Sequence, residues 1–458
     1  MSKITIIFRA KLLIMIAFVV STLIACSKDT PTNVVDNSKL NTTFAIMSDP
    51  HYFAPSLGIG GVAFEKYLAN DRKMLAESKA ISESVVESLL QENIKFVLVS
   101  GDLTKDGEKQ SHIELAKLYG KLVSAGKKVI VVPGNHDISN PHSHKYTGES
   151  AEPTPSVTPE EFAEIYKDCG FGSAIARDKN SLSYISEPVA GLWVFALDAC
   201  RYKENTNSPI TGGKYSEATL QWINDNLQKA KEQNKTVIGI QHHGLVEHFN
   251  GQKQNPISMD YVIDDWQNVS KQFIDGNMKA IFTGHFHAND VTKYSVDGKE
   301  IYDVETGSLI TSPCPYRIAS ITNSNLQITT SLIKSINYDT KGLEFQAYAA
   351  SFLKDNQFVK LISAMMTSQF DIDEASAATL TPIVLQALLD HYKGDEVMPN
   401  TTKVVLEEIQ KLQGIGPQFI VFALTSLYTD LPPGDNNVNI IFNNNIVAKE
   451  SQVKLKVN

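Results

Sequence analysis

Five short apolar segments of this chain each end in residues that can bind a metal ion, and this feature restricts the possible folds most. Their β-branched and aromatic residues favour strands. In an open α/β sheet, ligands bind outside the carboxyl ends of the strands. The pattern therefore predicts an α/β fold whose strand ends converge on one site. The five segments cover residues 44–48, 94–100, 127–133, 235–241 and 278–284.

Segments with the spacing of amphipathic helices alternate with these strands, as the α/β class requires. A further strand is predicted over residues 191–198, and closing strands over residues 301–333. Residues 140–160 are rich in Pro, Ser and Thr, which predicts a long surface loop. The predicted helices of this part of the chain cover residues 71–92, 111–125 and 219–234.

The sequence pattern changes from about residue 340. Apolar residues now recur at helical spacing, and no strand-like alternation follows. We therefore predict two domains. The first is a catalytic α/β domain over residues 44–335, and the second is a separate all-α C-terminal domain over residues 336–458.

The N-terminal residues 1–25 have the basic start and the short apolar stretch of a signal peptide. The stretch ends in Leu-Ile-Ala-Cys, which resembles the bacterial lipobox and implies lipidation of Cys26. The alternatives are a signal anchor and a simple secretory cleavage. Residues 26–43 are polar, which predicts a flexible tether. We expect an exported protein that is lipid-anchored to a bacterial membrane, with the outer membrane or the periplasmic face favoured.

The composition excludes one class of partner. The formal net charge is −9, whereas binding to the backbone of a nucleic-acid polymer needs a basic surface. A small anionic substrate held by metal ions is compatible with this charge. Besides Cys26, Cys169, Cys200 and Cys314 show no metal-binding spacing, and we expect buried thiols. The pattern predicts no particular oligomeric state.

The polar residues at the strand ends form the predicted metal site. Imidazole, carboxylate and amide oxygen, without thiolate, suit Mn²⁺, Fe²⁺/Fe³⁺ or Zn²⁺. These ligands outnumber the needs of one ion, and two ions that share a carboxylate lie about 3.5–4 Å apart in two-metal hydrolases. The candidate residues are Asp49, His51, Asp102, Asn135, His136, Asp137, His242, His243, His285 and His287.

The order of these motifs resembles the calcineurin-like metallophosphoesterases over about residues 44–325. The motifs are D-x-H, GD, GNHD, a histidine after a strand, and GHxH. The resemblance implies a β-sandwich flanked by helices, with two divalent metal ions. It makes Asp102 the bridging ligand. The other implied ligands are Asp49, His51 and His287 for the first ion, and Asn135, His285 and one of two histidines for the second.

The resemblance leaves two assignments open. The second ion takes either His243, which we favour, or His242. His136 would not be a ligand but would donate a hydrogen bond or a proton at the phosphate, with Asp137 orienting it. The alternative for Asp137 is a purely structural role as the cap of its loop.

The segment GDLTKDGE, which begins at Gly101, resembles the class III cyclic-nucleotide phosphodiesterases. This resemblance implies a small phosphoester substrate, most simply a nucleotide, and hydrolysis of 3′,5′-cyclic nucleotides or other small phosphodiesters to monophosphates. A phosphomonoesterase or nucleotidase on the same centre is the first alternative. A non-catalytic, lipid-anchored binding protein with the same fold is the second.

Overall fold

The computed structural model describes residues 40–69, 71–355, 358–370, 372–411 and 414–442. The predicted signal peptide, the predicted lipidation at Cys26 and most of the predicted tether lie outside the described residues. Within the described part of the chain, no helix is both long enough and apolar enough to cross a membrane.

Fifteen strands and eleven α-helices are described. The strands are β1 (Asn41–Met47), β2 (Phe96–Val99), β3 (Lys128–Val131), β4 (His144–Thr147), β5 (Ser150–Pro153), β6 (Ala176–Arg177), β7 (Tyr184–Val189), β8 (Leu192–Ala196), β9 (Thr236–Ile240), β10 (Met278–Thr283), β11 (Asp290–Val296), β12 (Lys299–Glu305), β13 (Pro315–Thr322), β14 (Asn325–Leu332) and β15 (Asn437–Ile441). The helices are α1 (Val62–Leu68), α2 (Ser78–Gln91), α3 (Lys109–Ser124), α4 (Pro159–Ile165), α5 (Glu217–Glu232), α6 (Trp266–Asp275), α7 (Phe345–Asp355), α8 (Phe358–Phe370), α9 (Glu374–Lys393), α10 (Asn400–Ile409) and α11 (Ile415–Leu427).

Two mixed sheets form the body of the molecule. The first has the strand order β15-β14-β13-β1-β2-β3, and the second has the order β11-β12-β10-β9-β8-β7-β6. The strands β1, β2 and β3 run parallel to one another, as do β8, β9, β10 and β12. Parallel strands need crossover connections. The helices α2 and α3 supply them in the first sheet, and α5 and α6 supply them between β8, β9 and β10, whereas β10 is connected to β12 through β11.

The two sheets pack face to face because the central strands of the second sheet are apolar on both sides. In β10, Phe282 belongs to the core between the sheets, whereas its neighbour Ile281 belongs to the core beneath α5 and α6. The rings of Phe44 in β1 and Phe282 in β10 meet edge to face at 5.5 Å. Side chains of a strand alternate between faces, so such continuous apolar runs indicate strands covered on both sides. This confirms the predicted sandwich flanked by helices.

The predicted strands of the catalytic part are confirmed, whereas β6, β7 and β11 were not predicted from the sequence. Residues 140–160 are not a plain loop, because they contain the hairpin β4–β5 and the start of α4. Residues 41–43, predicted as the end of the tether, belong to β1. They are ordered because they pair with β13, where Asn41 lies opposite Thr322.

The C-terminal helical region comprises α7 to α11, as the sequence predicts. Its apolar core also contains Phe249, Phe286 and Ala288 from the sandwich. One strand in this region was not predicted. Strand β15 pairs with β14 at the edge of the first sheet, with Val438 and Ile440 buried. The proposed boundary near residue 335 stays a prediction.

Candidate metal centre

The predicted ligands lie in loops at the carboxyl ends of β1, β2, β3, β9 and β10. Five of them have positive φ angles, a conformation that residues other than glycine rarely adopt. Such backbone strain persists only where the surrounding structure imposes it, and it is concentrated at functional sites. The five residues are Asp49 (φ 49°), His51 (φ 36°), Asp102 (φ 46°), His285 (φ 79°) and His287 (φ 73°).

A first group of ligand atoms comes from Asp49, His51 and His287. Asp49 Oδ1 lies 3.4 Å from His287 Nε2 and 3.7 Å from His51 Nε2. The two imidazole nitrogens are 3.3 Å apart. All three side chains are buried. Three converging ligand atoms at these separations can surround one ion.

A second group comes from Asp102, Asn135, His242 and His285. His242 Nε2 lies 3.3 Å from Asp102 Oδ2 and 3.2 Å from Asn135 Oδ1. The His285 ring packs 4.6 Å from the His242 ring, and one nitrogen of His285 belongs to the same group of atoms. These atoms can surround a second ion.

One oxygen connects the two groups. Asp102 Oδ2 lies 3.3 Å from His242 Nε2 and 3.5 Å from His51 Nε2. The carboxylate is therefore placed between the ligands of both groups, as a bridging ligand of a two-metal site would be.

The structure favours His242 over His243, the reverse of our preference from the sequence. His243 belongs to neither group of converging ligand atoms, and its Nε2 contacts the carbonyl oxygen of Thr211 at 2.8 Å. His242 Nδ1 contacts the carbonyl oxygen of Ser100 at 2.8 Å, which fixes the ring with Nε2 facing Asp102. Hydrogen bonds of this kind commonly orient metal-binding histidines.

Asp137 does not orient His136, so that part of the prediction is wrong. The Asp137 carboxylate accepts backbone N–H bonds from Leu103, Thr104 and Gly134 at 2.8–3.0 Å, which is the loop-capping role considered as the alternative. His136 Nδ1 instead contacts Asp106 Oδ1 at 2.8 Å. Asp106 was not singled out from the sequence, although it lies in the GDLTKDGE segment.

The side chains present fit a pair of metal ions. Asp49 Oδ1 and His285 Nε2 are buried and have no hydrogen-bond partner among the described residues. Burial lowers the pKa of His51 and of His285 well below the usual value, and neighbouring cations or histidines lower it further. Both rings are therefore neutral, as metal binding requires. Burial opposes protonation of His242 too, but the Asp102 carboxylate raises its pKa to about 9.

Two motif glycines allow the loops to approach each other closely. A Cβ atom on Gly134 would lie 2.1 Å from Asp102 Oδ1, and one on Gly284 would lie 2.4 Å from Asp49 Oδ2. Any larger residue would displace the ligand carboxylate. The glycines of GNHD and GHxH are thus required by packing against the metal ligands.

Two cationic side chains lie beside the centre, and neither was predicted from the sequence. Lys73 is 8% exposed and acts electrostatically on His51 and His136. The Arg72 guanidinium lies 5.8 Å from the Tyr392 ring centroid and is hydrogen-bonded to Tyr261. Their position follows from the fold of the segment before α2, which has no motif of its own.

Comparisons with known proteins identify a family that the chain matches. The family model described as Calcineurin-like phosphoesterase matches residues 42–289. The human serine/threonine-protein phosphatase CPPED1 is 24% identical over 227 residues, which cover 46% of this chain and 59% of that protein. The match therefore spans less than two thirds of that relative.

Solved structures of low identity also resemble the chain. A dimetal phosphatase from Danio rerio is 15% identical, with 64% of this chain and 97% of that chain covered and a TM-score of 0.45. The purple acid phosphatase PPD1 from yellow lupin is 12% identical, and the match covers 65% of this chain and 52% of that chain with a TM-score of 0.39.

Proposed function

Because the chain belongs to the calcineurin-like phosphoesterase family, we propose that it hydrolyses phosphoesters at a pair of divalent metal ions. The observation that carries this proposal is the position of Asp102 Oδ2, 3.3 Å from His242 Nε2 and 3.5 Å from His51 Nε2. The ions, when bound, would supply activation of a water molecule and neutralisation of charge on the phosphoryl oxygens.

The ligand set defines which ions fit. Imidazoles, carboxylates and one amide oxygen suit Mn²⁺, Fe²⁺/Fe³⁺ or Zn²⁺. In this proposal Asp102 serves both ions. The remaining ligands are Asp49, His51 and His287 on one side, and Asn135, His242 and His285 on the other.

His136 is the proposed proton donor. Its side chain is 24% exposed, in contrast to the buried ligands around it, and its Nε2 lies 3.9 Å from Asp102 Oδ2. Asp106 accepts from Nδ1 and so fixes the orientation of the ring. A histidine held in this way can place a proton on Nε2 and transfer it to the departing alkoxide oxygen.

Lys73 and Arg72 are the proposed contacts to the anionic substrate. A cation beside a metal pair adds attraction for phosphoryl oxygens, and the planar guanidinium can bind two of them. Tyr392 belongs to α9 and packs on Arg72. The helical region therefore supports one of the proposed substrate contacts.

We propose small phosphodiesters, including 3′,5′-cyclic nucleotides, as the substrate class. The support is the resemblance of the GDLTKDGE segment to class III cyclic-nucleotide phosphodiesterases. The Tyr261 ring is partly exposed, and its centroid lies 4.6 Å from that of the His285 ring. In this position it could stack on a nucleotide base. Hydrolysis of a 3′,5′-cyclic nucleotide would give a 5′ monophosphate.

Phosphomonoester hydrolysis is the second candidate. Its support is the human relative, whose name describes a serine/threonine-protein phosphatase. Two cations beside the centre also suit the greater charge of a monoester.

The proposed location is outside the cytoplasm, with the protein anchored to a bacterial membrane through a lipid on Cys26. The support is the N-terminal sequence, in which an apolar stretch precedes the lipobox-like Leu-Ile-Ala-Cys. Labelling of cells with a radioactive or clickable fatty acid tests this. A Cys26→Ala variant that still carries the label would refute it.

The substrate proposal is tested with the chain from Ser27 onward, stripped of metal and reloaded with Mn²⁺. Hydrolysis of 3′,5′-cyclic AMP, bis-p-nitrophenyl phosphate and p-nitrophenyl phosphate is compared, with Asp102→Asn as the control. Faster turnover of the diesters, lost in the variant, supports the diesterase. Faster turnover of the monoester supports the second candidate, and no turnover by the metal-loaded protein refutes both.

A further inference from the structure

A second buried group of ionisable side chains lies where the helical region meets the second sheet. Asp290 begins β11, His391 lies in the last turns of α9, and Glu396 follows that helix. One potential ligand atom from each of these three residues lies within 4.8 Å of the other two. All three residues are buried, with exposures of 1%, 0% and 7%.

None of these three residues is a candidate ligand of the catalytic centre, and His248 connects them to the second sheet. His248 Nδ1 contacts Asp290 Oδ1 at 2.7 Å, and its Nε2 lies 3.2 Å from Asp303 Oδ2. Glu305 Oε2 lies 3.8 Å from the same nitrogen. His248 therefore links the Asp290 carboxylate to the two carboxylates of β12.

The cluster contains more acidic than basic groups. Among the described residues it has four carboxylates and two imidazoles. Arg317 lies nearby, but its guanidinium donates to the backbone carbonyls of Glu305 and Asp435 and to the Thr330 hydroxyl. Hydrogen bonds compensate two of the carboxylates, since Asp303 accepts from the Leu245 and Val246 N–H groups and the Thr283 hydroxyl, and Glu305 accepts from the Ala288 N–H. Asp290 is compensated by His248 and the Thr292 hydroxyl, and Glu396 by His391. Burying carboxylates is costly unless positive charge or hydrogen bonds compensate them.

Three atoms of the cluster also lack a hydrogen-bond partner. Within the described part of the chain, these buried atoms are His248 Nε2, His391 Nε2 and Glu396 Oε2. Glu396 Oε1 lies 2.5 Å from His391 Nδ1, so the second oxygen of this carboxylate is held inside the cluster. Unsatisfied buried polar atoms are rare in proteins, and a bound ion is one of the features that account for them.

We propose that Asp290, His391 and Glu396 bind one further divalent transition-metal ion, separate from the catalytic pair. One imidazole with two carboxylates suits Mn²⁺, Fe²⁺ or Zn²⁺. His248 is the residue that positions the Asp290 ligand, since ligating carboxylates are usually hydrogen-bonded from behind. The ion cross-links α9 to the start of β11, three residues after His287.

The first test is the metal content of the chain from Ser27 onward. The protein is stripped, reloaded with Mn²⁺, desalted and analysed by inductively coupled plasma mass spectrometry. We expect about three equivalents per chain, two from the proposed catalytic pair and one from this site. The double variant Asp49→Ala/Asp102→Asn should retain about one equivalent. The proposal is overturned if the double variant binds no Mn²⁺, or if the unaltered chain binds only two equivalents of Mn²⁺.

The second test assigns the ion to these residues. Glu396→Gln and His391→Gln, each placed in the Asp49→Ala/Asp102→Asn background, should bind no metal. Asp430→Asn is the matched control, because it belongs to a neighbouring acidic group with Asp395 and Asp435. The control should keep its ion. Loss in the control and retention in Glu396→Gln would place the ion elsewhere and refute the assignment. The unaltered chain and the double variant decide the question even if the Glu396 and His391 variants fail to fold.

Discussion

The two buried clusters of ionisable residues differ in the backbone conformation of their residues. In the catalytic cluster, Asp49, His51, Asp102, His285 and His287 all have positive φ angles. In the second cluster, none of the four residues, all of which lie in the described part of the chain, has a positive φ angle. These residues are His248, Asp290, His391 and Glu396. Strained residues are found where a site must hold ligands in a fixed arrangement for chemistry. The difference indicates a catalytic role for the first cluster and a cross-linking role for the second.

Exposure shows the same contrast. His136 reaches the catalytic cluster and is 24% exposed, so a substrate can approach from its side. His248 and His391, the histidines of the second cluster, are 1% and 0% exposed. An ion held there would be isolated from substrates. We therefore expect variants of the first cluster to affect mainly activity and variants of the second to affect mainly stability.

The largest expected effect is that of Asp102→Asn. The change removes the charge shared by both ligand groups, and we expect kcat/KM for bis-p-nitrophenyl phosphate to fall by about 10³-fold or more. The metal-free protein should stay folded but lose some stability towards urea at neutral pH, because buried His242 loses the carboxylate that raises its pKa to about 9. A loss of folding instead of activity would contradict the contrast between the clusters.

The second largest effect is expected for His248→Ala. The change leaves the carboxylates of Asp290 and Asp303 without the imidazole that contacts them at 2.7 and 3.2 Å. Removing one partner of a buried ion pair destabilises a protein by about 3–5 kcal/mol. Urea unfolding measures the loss. The exposed His142 offers a matched control, for which His142→Ala should change stability by about 0.5 kcal/mol or less.

The third prediction concerns Gly134→Ala. The new Cβ atom would lie 2.1 Å from Asp102 Oδ1, so the shared carboxylate must move. Misplacement of a catalytic group by about 1 Å can cost 10²-fold in rate, and we expect a loss of that size. Gly120→Ala in α3 is the control, since its Cβ has nothing within 4 Å. Equal activities of the two variants would show that the close approach is unimportant.

The smallest predicted loss of activity is that of Asp106→Asn. Without the carboxylate at Nδ1, His136 loses its orientation, and we expect kcat to fall by about 10–100-fold with the metal content unchanged. Asp137→Asn provides the comparison, because Asp137 holds backbone N–H groups and not His136. We expect it to cost stability, by about 1–3 kcal/mol. If kcat falls more in Asp137→Asn than in Asp106→Asn, the result would support the sequence-based prediction that Asp137 orients His136.

The sequence predicts well what depends on local pattern. Apolar runs that end in Asp, Asn or His identify both the strands and the candidate ligands, because neighbouring residues carry the whole signal. It could not decide between His242 and His243, since the turn of the chain after β9 depends on contacts with Ser100 and Thr211.

Features that depend on distant residues were missed. Asp106 reaches His136 only through the packing of two loops. Strand β15 has no local signature, because its two buried residues alternate with Asn and Ile and its partner β14 lies about a hundred residues earlier. The second cluster is assembled from residues between 248 and 396, and no short motif contains it.

Phe286 has a further consequence for how this chain can be divided. It stands between His285 and His287, yet its ring lies in the core of the helical region, 4.7 Å from the Tyr261 ring and 5.3 Å from the His391 ring. A chain cut near residue 335 would expose this ring at the metal loop. The helices and the GHxH loop should therefore be transplanted together in any chimera, and an aromatic residue at this position is a signature by which to search for chains built in the same way.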